Sequence, residues 1–172
     1  MNTVSIISGK YKNQAISTPG GATHPMGDRE KLALFNMLSD ILPGAKVVDA
    51  FAGSGALGLE ALSRGASEVV FIEKSPKVCQ IIRQNLKKLN ENGEVVVSSV
   101  KNLQISSDFD VILADPPYDI FDLNEVSLLA NFLKTKGILV LSHPGEAPEI
   151  PGLTLEKTRQ YAAAHLSFYV KH

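Results

Sequence analysis

Four consecutive residues, Asp115-Pro116-Pro117-Tyr118, bring together an acid, two rigid imino acids and an aromatic ring directly after the apolar run Phe109 to Ala114. Proline fixes φ and has no N–H, so the segment predicts a rigid turn that leaves the Pro116 carbonyl free to accept a hydrogen bond. Asp115 and that carbonyl can accept the two hydrogens of an exocyclic amine, and Tyr118 offers a flat face against a nucleobase. A plain strand exit, with Asp115 as a turn acceptor and Tyr118 packed over the sheet, accounts for the same residues without chemistry. Its position three elements after a second motif is what favours the chemical reading.

That second motif is Val47-Val48-Asp49-Ala50-Phe51-Ala52-Gly53-Ser54-Gly55-Ala56-Leu57-Gly58, in which a short apolar strand runs into a turn of small residues and then a helix. Glycines permit close ligand approach, and a helix start offers unpaired N–H groups. The spacing Gly53-x-Gly55-x-x-Gly58, with Glu73 20 residues after Gly53, also satisfies a dinucleotide-binding pattern. Asp49 points another way, because an acid at a strand end can orient the amino-acid portion of a cofactor while Glu73 holds two ribose hydroxyls. On these residues alone both uses stay open.

The elements that must position the two motifs follow a simple alternation. Val4 to Ile7 and Ala15 to Ser17 read as short strands around a polar segment, an appendage before the main domain. Leu32, Phe35, Leu38 and Ile41 predict a helix stopped by Pro43-Gly44. Thereafter come strands at Val47-Val48, Val69 to Ile72, Val95 to Val97, Phe109 to Ala114 and Ile138 to Leu141. Between them lie helical faces at Leu57 to Leu62, at Cys79, Ile82, Leu86 and Leu89, and at Leu123, Val126, Ala130 and Leu133. Such alternation predicts an α/β fold with a mostly parallel sheet covered on both faces. Leu153 to Glu156 and Leu166 to Val170 read as a closing antiparallel pair.

Composition limits the function classes. With 172 residues, 44% hydrophobic and 20% charged, the chain suits one folded domain rather than two. Cys79 is the only cysteine, which excludes an intrachain disulfide framework and a multi-cysteine metal site; it reads as core. His24, His143, His165 and His172 show no zinc-ligand spacing, so no metal is expected. No run approaches a membrane span and Met1 to Ser5 does not lead into a secretory segment, so a soluble cytoplasmic protein is expected. The net charge of −1 leaves any nucleic-acid contact to local basic clusters. One holds Lys10, Lys12, Arg29 and Lys31; another runs through Lys74, Lys77, Arg83, Lys87 and Lys88. Each can face phosphate or simply solvate a surface, and Arg64 can do the same or pair locally.

Taken together, Asp49-x-Phe51-x-Gly53-Ser54-Gly55 and Asp115-Pro116-Pro117-Tyr118 resemble the class I, amino-directed methyltransferases. Over nearly the whole chain the sequence resembles the RsmD family, bacterial 16S ribosomal RNA guanine-N2 methyltransferases. The resemblance rests on Ile7 to Lys12, Asp28-Arg29, Ala33 to Asn36 and Gly55 to Ala66. It implies a Rossmann-like, seven-stranded sheet with an antiparallel last strand, preceded by a β-hairpin-like RNA-contacting extension at 1–22 before a methyltransferase domain at 23–172. It also implies S-adenosylmethionine as cofactor, contacted by Asp49, Phe51, Ala52, Gly53, Ser54, Gly55, Glu73, Lys74 and Ser99. Asp115, Pro116 and Tyr118 would receive the guanine, and Lys10, Lys12, Arg29, Lys31 and Arg64 would contact RNA. The implied partner is 16S ribosomal RNA or a partly assembled small subunit, met by a monomer.

The sequence departs from the family's usual residues at Asn13-Gln14-Ala15, His24-Pro25-Met26, Leu32, Ser99, Ser142-His143 and Tyr161-Ala162. Ser98 or Ser99 can accept from an adenine amine or merely cap the next segment. Three other functions compete. An adenine-N6 methyltransferase would use the same pocket. A nicotinamide oxidoreductase leaves Asp115 to Tyr118 unexplained, and an RNA-binding assembly factor would bind without turnover.

Overall fold

The computed structural model describes residues 2–21, 26–106, 108–162 and 164–172. Two strands, β1 (Asn2–Ser5) and β2 (Ala15–Thr18), pair antiparallel from Asn2 opposite Thr18 to Ser5 opposite Ala15. Then follow α1 (Asp28–Met37), β3 (Lys46–Ala50), α2 (Ala56–Ser63), β4 (Glu68–Glu73), α3 (Pro76–Leu89), β5 (Glu94–Val97), β6 (Phe109–Ala114), α4 (Leu123–Leu128), β7 (Leu133–His143), β8 (Leu153–Tyr161) and β9 (Ala164–Lys171). The main sheet has the order β5-β4-β3-β6-β7-β9-β8. Strands β3 to β7 run parallel, and β9 is antiparallel to both of its neighbours. This is the expected Rossmann-like α/β sheet. Strand order reverses at β3, so a crevice opens at the C-terminal ends of β4, β3 and β6, where open α/β sheets place their ligands.

Side chains alternate between the two faces of the sheet. Val47, Val69 and Phe71 join α1, α2 and α3 in one core; Val48, Val70 and Ile72 join α4 and the flanking turns in another. The first face is the thicker. On the second, α4 stops at Leu128 and continues as a 3-10 turn from Leu129 to Phe132, and Leu133 already belongs to β7, opposite Phe109. The expected helical face through Ala130 and Leu133 is therefore shorter than its spacing suggested. Lys171 explains the stop, since its ammonium donates to the Ala130 and Leu133 carbonyls, both at 2.8 Å, and satisfies chain that has left the helix.

Helix α1 also differs from its expected phase. Leu32 and Ile41 are exposed, while Lys31, Leu34, Phe35, Leu38 and Leu42 are buried. The latter set follows the i, i+3, i+4, i+7 rhythm of one helical stripe, whereas a strict three-residue repeat drifts around the helix. Helix α3 matches its expectation: Cys79, Ile82, Leu86 and Leu89 are all buried, Ser75 caps Val78 and Pro76 occupies the first turn.

The hairpin does not hang free. The buried Glu60 of α2 accepts from the Ile7 N–H at 2.8 Å and the Ser8 N–H at 3.0 Å, and Ile6, Tyr11 and Ile16 enter the first core. The separation expected at 22/23, like His24 and Pro25, lies outside the described residues.

A tighter constraint sits under α2. A Cβ added at Gly58 would lie 2.3 Å from a ring carbon of Phe71. Alanine would gain about 1 kcal/mol in helix propensity there, yet overpacking a closed core costs about 1–3 kcal/mol. Gly58→Ala is thus expected to be destabilising in urea denaturation, and Phe71→Leu in the same chain is expected to recover part of the loss. Additive losses in the double variant would show that the two residues do not press on one another.

Candidate active site

The turn after β3 is built from backbone conformations that few side chains tolerate. Phe51, Gly53 and Gly55 all have positive φ, at 57°, 53° and 81°. Gly55 occupies the cap position of α2 and has no side chain to satisfy the first N–H groups. Asp49 does that work from the strand, its buried carboxylate accepting from the Gly58 N–H at 2.8 Å. The Ala52 N–H reaches back to the Ile72 carbonyl at 2.9 Å, which binds the turn to the end of β4. Glu73, at that end, accepts from the Gly53 N–H at 3.1 Å and the Ser75 N–H at 2.9 Å. Beyond Gly53 the space is open: a Cβ there would meet nothing within 4 Å.

Lys74 is exposed beside Glu73. Ser99 opens the 3-10 turn Val100–Asn102 at the end of β5 without capping it through its side chain, and the Ser98 hydroxyl donates to the Ser99 carbonyl at 2.8 Å. The cofactor candidates from Asp49 to Ser99 therefore share one edge, the C-terminal ends of β3, β4 and β5.

Asp115 stands one residue beyond β6, whose last residue Ala114 pairs with Ala50 at the end of β3. Pro116 is buried, Pro117 is exposed, and Tyr118 begins a short 3-10 turn. The Tyr118 hydroxyl hydrogen-bonds the Ser142 hydroxyl at 2.5 Å. Ser142 belongs to β7 and is buried. The pocket candidates thus meet the cofactor candidates along a single sheet edge.

Electrostatics there are one-sided. Burial pushes the Asp115 carboxyl up from 3.8 to about 6, against the opposing hydrogen bond from Ser142. Burial also drives Asp49 well above the usual carboxylate range; the Gly58 N–H opposes the rise, and the charges of Asp115 and Glu73 add to it. Tyr118 is raised by burial, lowered by its Ser142 bond, and raised further by Asp115 and by Glu30 from α1. Asp49, Glu73 and Asp115 thus lie along one sheet edge, and no cation is among the groups that shift Asp49 or Asp115.

The basic candidates separate. Lys10, Lys12 and Arg29 are exposed, and Arg29 lines a cleft of about 380 Å³ with Ile7, Asn13 and Leu32 between the hairpin and α1. Lys31 is buried, its ammonium 3.3 Å from Asp28. Arg64 binds the buried Glu60 at 2.8 Å and lies 5.0 Å from the Phe35 ring centre, inside the joint between α2 and the hairpin. Neither of these two presents its charge to solvent as a phosphate ligand would.

Sequence reasoning misses two polar residues. Asn85, buried on α3, accepts from the Ser17 N–H at 2.8 Å and donates to the Ser17 and Ser54 carbonyls, so it ties the hairpin to the glycine turn. Glu60 is the one charged residue in α2, whose other residues are apolar or small. A polar residue set among core positions is the available signal for both. Ser142 stands out in the sequence only as a departure from the family's usual residue. Cys79 is buried, its thiol donating to the Glu73 carbonyl at 3.4 Å, in keeping with a core role. No group of His, Cys, Asp and Glu able to hold a metal ion occurs among the described residues, and none of their helices is long and apolar enough to cross a membrane.

Known proteins share both the sequence and the fold. The family model described as Conserved hypothetical protein 95 matches residues 4–170. Ribosomal RNA small subunit methyltransferase D of Haemophilus influenzae is 36% identical over 159 residues, 86% of this chain and 82% of that protein. The solved yhhF protein of Escherichia coli superposes with a TM-score of 0.89 at 29% identity, over 99% of this chain and 98% of that one. The 16S rRNA N2 G1207 methyltransferase of Thermus thermophilus, solved with AdoMet and guanosine, shares the fold with a TM-score of 0.72 at 20% identity. That match spans 99% of this chain and 50% of the other.

The raised Asp115 has a consequence for stability. A carboxyl whose folded pKa exceeds its unfolded one favours the fold while protonated, and that contribution is lost as pH rises through about 6. Asp115→Asn is therefore expected to stabilise the protein above pH 6, by up to about 3 kcal/mol, since each tenfold change in proton affinity is worth about 1.36 kcal/mol. The gain is expected to vanish by about pH 4. Chemical denaturation at both pH values checks it; an equal effect at both would refute the raised carboxyl.

Proposed function

Since the chain belongs to the Conserved hypothetical protein 95 family, the family of the RsmD ribosomal RNA methyltransferases, we propose that it methylates the N2 amine of a guanine in 16S ribosomal RNA, using S-adenosylmethionine and leaving S-adenosylhomocysteine. The substrate on this reading is naked 16S RNA or a partly assembled small subunit, in the cytoplasm, and the protein acts as a monomer. One observation carries the reading: the Asp115 to Tyr118 segment leaves β6 beside the turn that opens at Gly53, so a base and a cofactor would meet at one edge.

The residues present fit that cofactor. The open space beside Gly53 lets a ligand approach the backbone, and Glu73 offers a carboxylate suited to ribose hydroxyls. S-adenosylmethionine, when bound, supplies an electrophilic methyl group on a positively charged sulfur. The chain's own contribution is mainly positional. Asp115 and the Pro116 carbonyl accept the two amine hydrogens, direct the nitrogen lone pair outward and offset the positive charge that develops on nitrogen. With its carboxyl at about 6, Asp115 is largely ionised at neutral pH and ready to accept. The Tyr118 ring holds the base by its face. The proton lost by the amine leaves after methyl transfer, and Asp115 need not carry it.

The hairpin, with Lys10, Lys12 and the neighbouring Arg29, forms the surface that holds RNA on this reading. Lys31 and Arg64 serve the fold instead, one against Asp28 and the other against Glu60.

Incubation with methyl-labelled S-adenosylmethionine and either deproteinised or partly assembled 16S RNA, followed by mass spectrometry of the nucleosides, tests the assignment. N2-methylguanosine supports it; N6-methyladenosine replaces it with the adenine reading, and tight RNA binding without product favours an assembly factor. Asp115→Ala is expected to cut single-turnover transfer by about 10²-fold or more with cofactor affinity kept. Tyr118→Ala is expected to weaken RNA use through KM. Near-normal transfer by a folded Asp115→Ala protein would remove Asp115 from the chemistry. Replacing Lys10, Lys12 and Arg29 together by Gln is expected to weaken RNA binding and to flatten its salt dependence by up to about three contacts' worth of slope. An unchanged salt series would move the RNA surface elsewhere.

A further inference from the structure

Helix α3 carries Lys77, Arg83, Lys87 and Lys88 and no acid at all. Its buried stripe is Cys79, Ile82, Asn85, Leu86 and Leu89, so the opposite side turns outward with Lys77, Gln80, Arg83, Gln84, Lys87 and Lys88, all exposed. Every side chain on that face ends in an ammonium, a guanidinium or a carboxamide. Exposed lysines on other elements meet carboxylates, Lys46 at Asp108, Lys101 at Asp122 and Lys134 at Asp110. Among the described residues, none of the four cations of α3 is paired with an acid.

Helix electrostatics account for only part of this. Lys87 and Lys88 lie in the last turn, where a helix end attracts cations. Lys77 lies in the first turn, where it opposes the dipole, and no acid of that turn offsets it. Positive charge therefore continues past the end of the helix that favours it. From Lys77 to Lys88 the face extends roughly 16 Å along the axis, at the helical rise of about 1.5 Å per residue.

The face also joins two parts of the proposed RNA site. At its start, Ser75 caps the helix directly after Glu73 on the cofactor edge. At its end, the Lys88 ammonium donates to the Ala15 carbonyl of the hairpin. Glu91, just past the helix, accepts from Lys10 at 3.4 Å and from the Tyr11 hydroxyl, so its charge is already engaged by the hairpin. Arg83 and Lys87 line a cleft of about 500 Å³ beside it, with Asn90 and Gly93.

We propose that the outer face of α3 is a second RNA surface, which takes the sugar-phosphate backbone of a strand running between the hairpin and the cofactor edge. A polyanion whose charges recur along its length matches unpaired cations spread along a helix, and the amides of Gln80 and Gln84 can donate to phosphate or ribose oxygens. Binding here is independent of base sequence and sensitive to salt. The inference rests on RNA being the substrate, and it gives the flanking chain a place to lie while the target base occupies the pocket.

Filter binding of the full chain to deproteinised 16S RNA over a salt series tests it. Lys77→Gln and Lys87→Gln are combined, since Arg83 and Lys88 also hold the Val95 and Ala15 carbonyls and their loss could disturb the fold. The control combines Lys136→Gln and Lys157→Gln, exposed lysines on β7 and β8 in the other half of the sheet, so both double variants lose the same charge. The α3 variant is expected to bind more weakly and to lower the slope of log affinity against log salt by about one for each lysine. The control is expected to keep the wild-type slope. Equal slopes in the two variants would overturn the proposal.

A second readout does not depend on charge. Cys79 is buried, so a thiol-linked photo-crosslinker on Gln80→Cys reports from the helix surface. It is expected to cross-link to 16S RNA, whereas the same group on Lys157→Cys is not. Absence of an RNA adduct at Gln80→Cys, with RNA affinity intact, would also overturn the proposal. Both readouts measure binding, so they stand even if the wild-type chain makes no N2-methylguanosine. Loss of salt-dependent 16S RNA binding by the wild type would instead remove the proposed substrate and this surface together.

Discussion

The contact between Phe71 and the glycines around it decides where everything else at the site can be. A Cβ at Gly58 would come within 2.3 Å of the ring, at Gly93 within 2.8 Å and at Gly55 within 3.2 Å. Because none of these residues has one, α2 settles close on the sheet and the β3 turn is drawn down to its edge. Only from that distance can Asp49 reach the Gly58 N–H and Glu73 reach the Gly53 N–H. The missing methyl groups thus let both carboxylates bind the backbone of the turn.

Closeness has an electrostatic cost. Asp49 is buried with the Gly58 N–H as the one donor to its carboxylate among the described residues, and it shares the edge with Glu73 and Asp115. Burial disfavours the ionised forms of Asp49 and Asp115 there. The fold therefore keeps Asp49 and Asp115 in surroundings that favour their neutral forms.

Polar links carry the rigidity of this edge outward. Asn85 bonds Ser54 in the turn and Ser17 in β2 with one side chain, and Glu60 holds the Ile7 and Ser8 N–H groups while it neutralises Arg64. Through these contacts the hairpin, α2, α3 and the glycine turn form one packed body. A surface for RNA built on the hairpin would keep a fixed position relative to the pocket, which matters when one base must be placed against one methyl donor.

Much of this is legible in the sequence. The apolar runs at Val69 to Ile72 and Phe109 to Ala114, the cap at Ser75 and the buried stripe of α3 announce themselves through local periodicity and local chemistry, so the parallel sheet and the order of its elements follow. The positive-φ glycines and the Asp-Pro-Pro-Tyr turn are likewise visible, because the constraints on those residues are carried by the residues themselves. The phase of α1 is not, nor the end of α4 at Leu128: Leu32 and Leu34 are alike in isolation, and only the packing against the sheet chooses between them. Lys31, Arg64, Asn85 and Ser142 belong to the same class. A side chain's type fixes what it can donate or accept, but whether it meets solvent, a buried acid or a neighbouring hydroxyl depends on strands and helices that are distant in the chain and adjacent only in the fold.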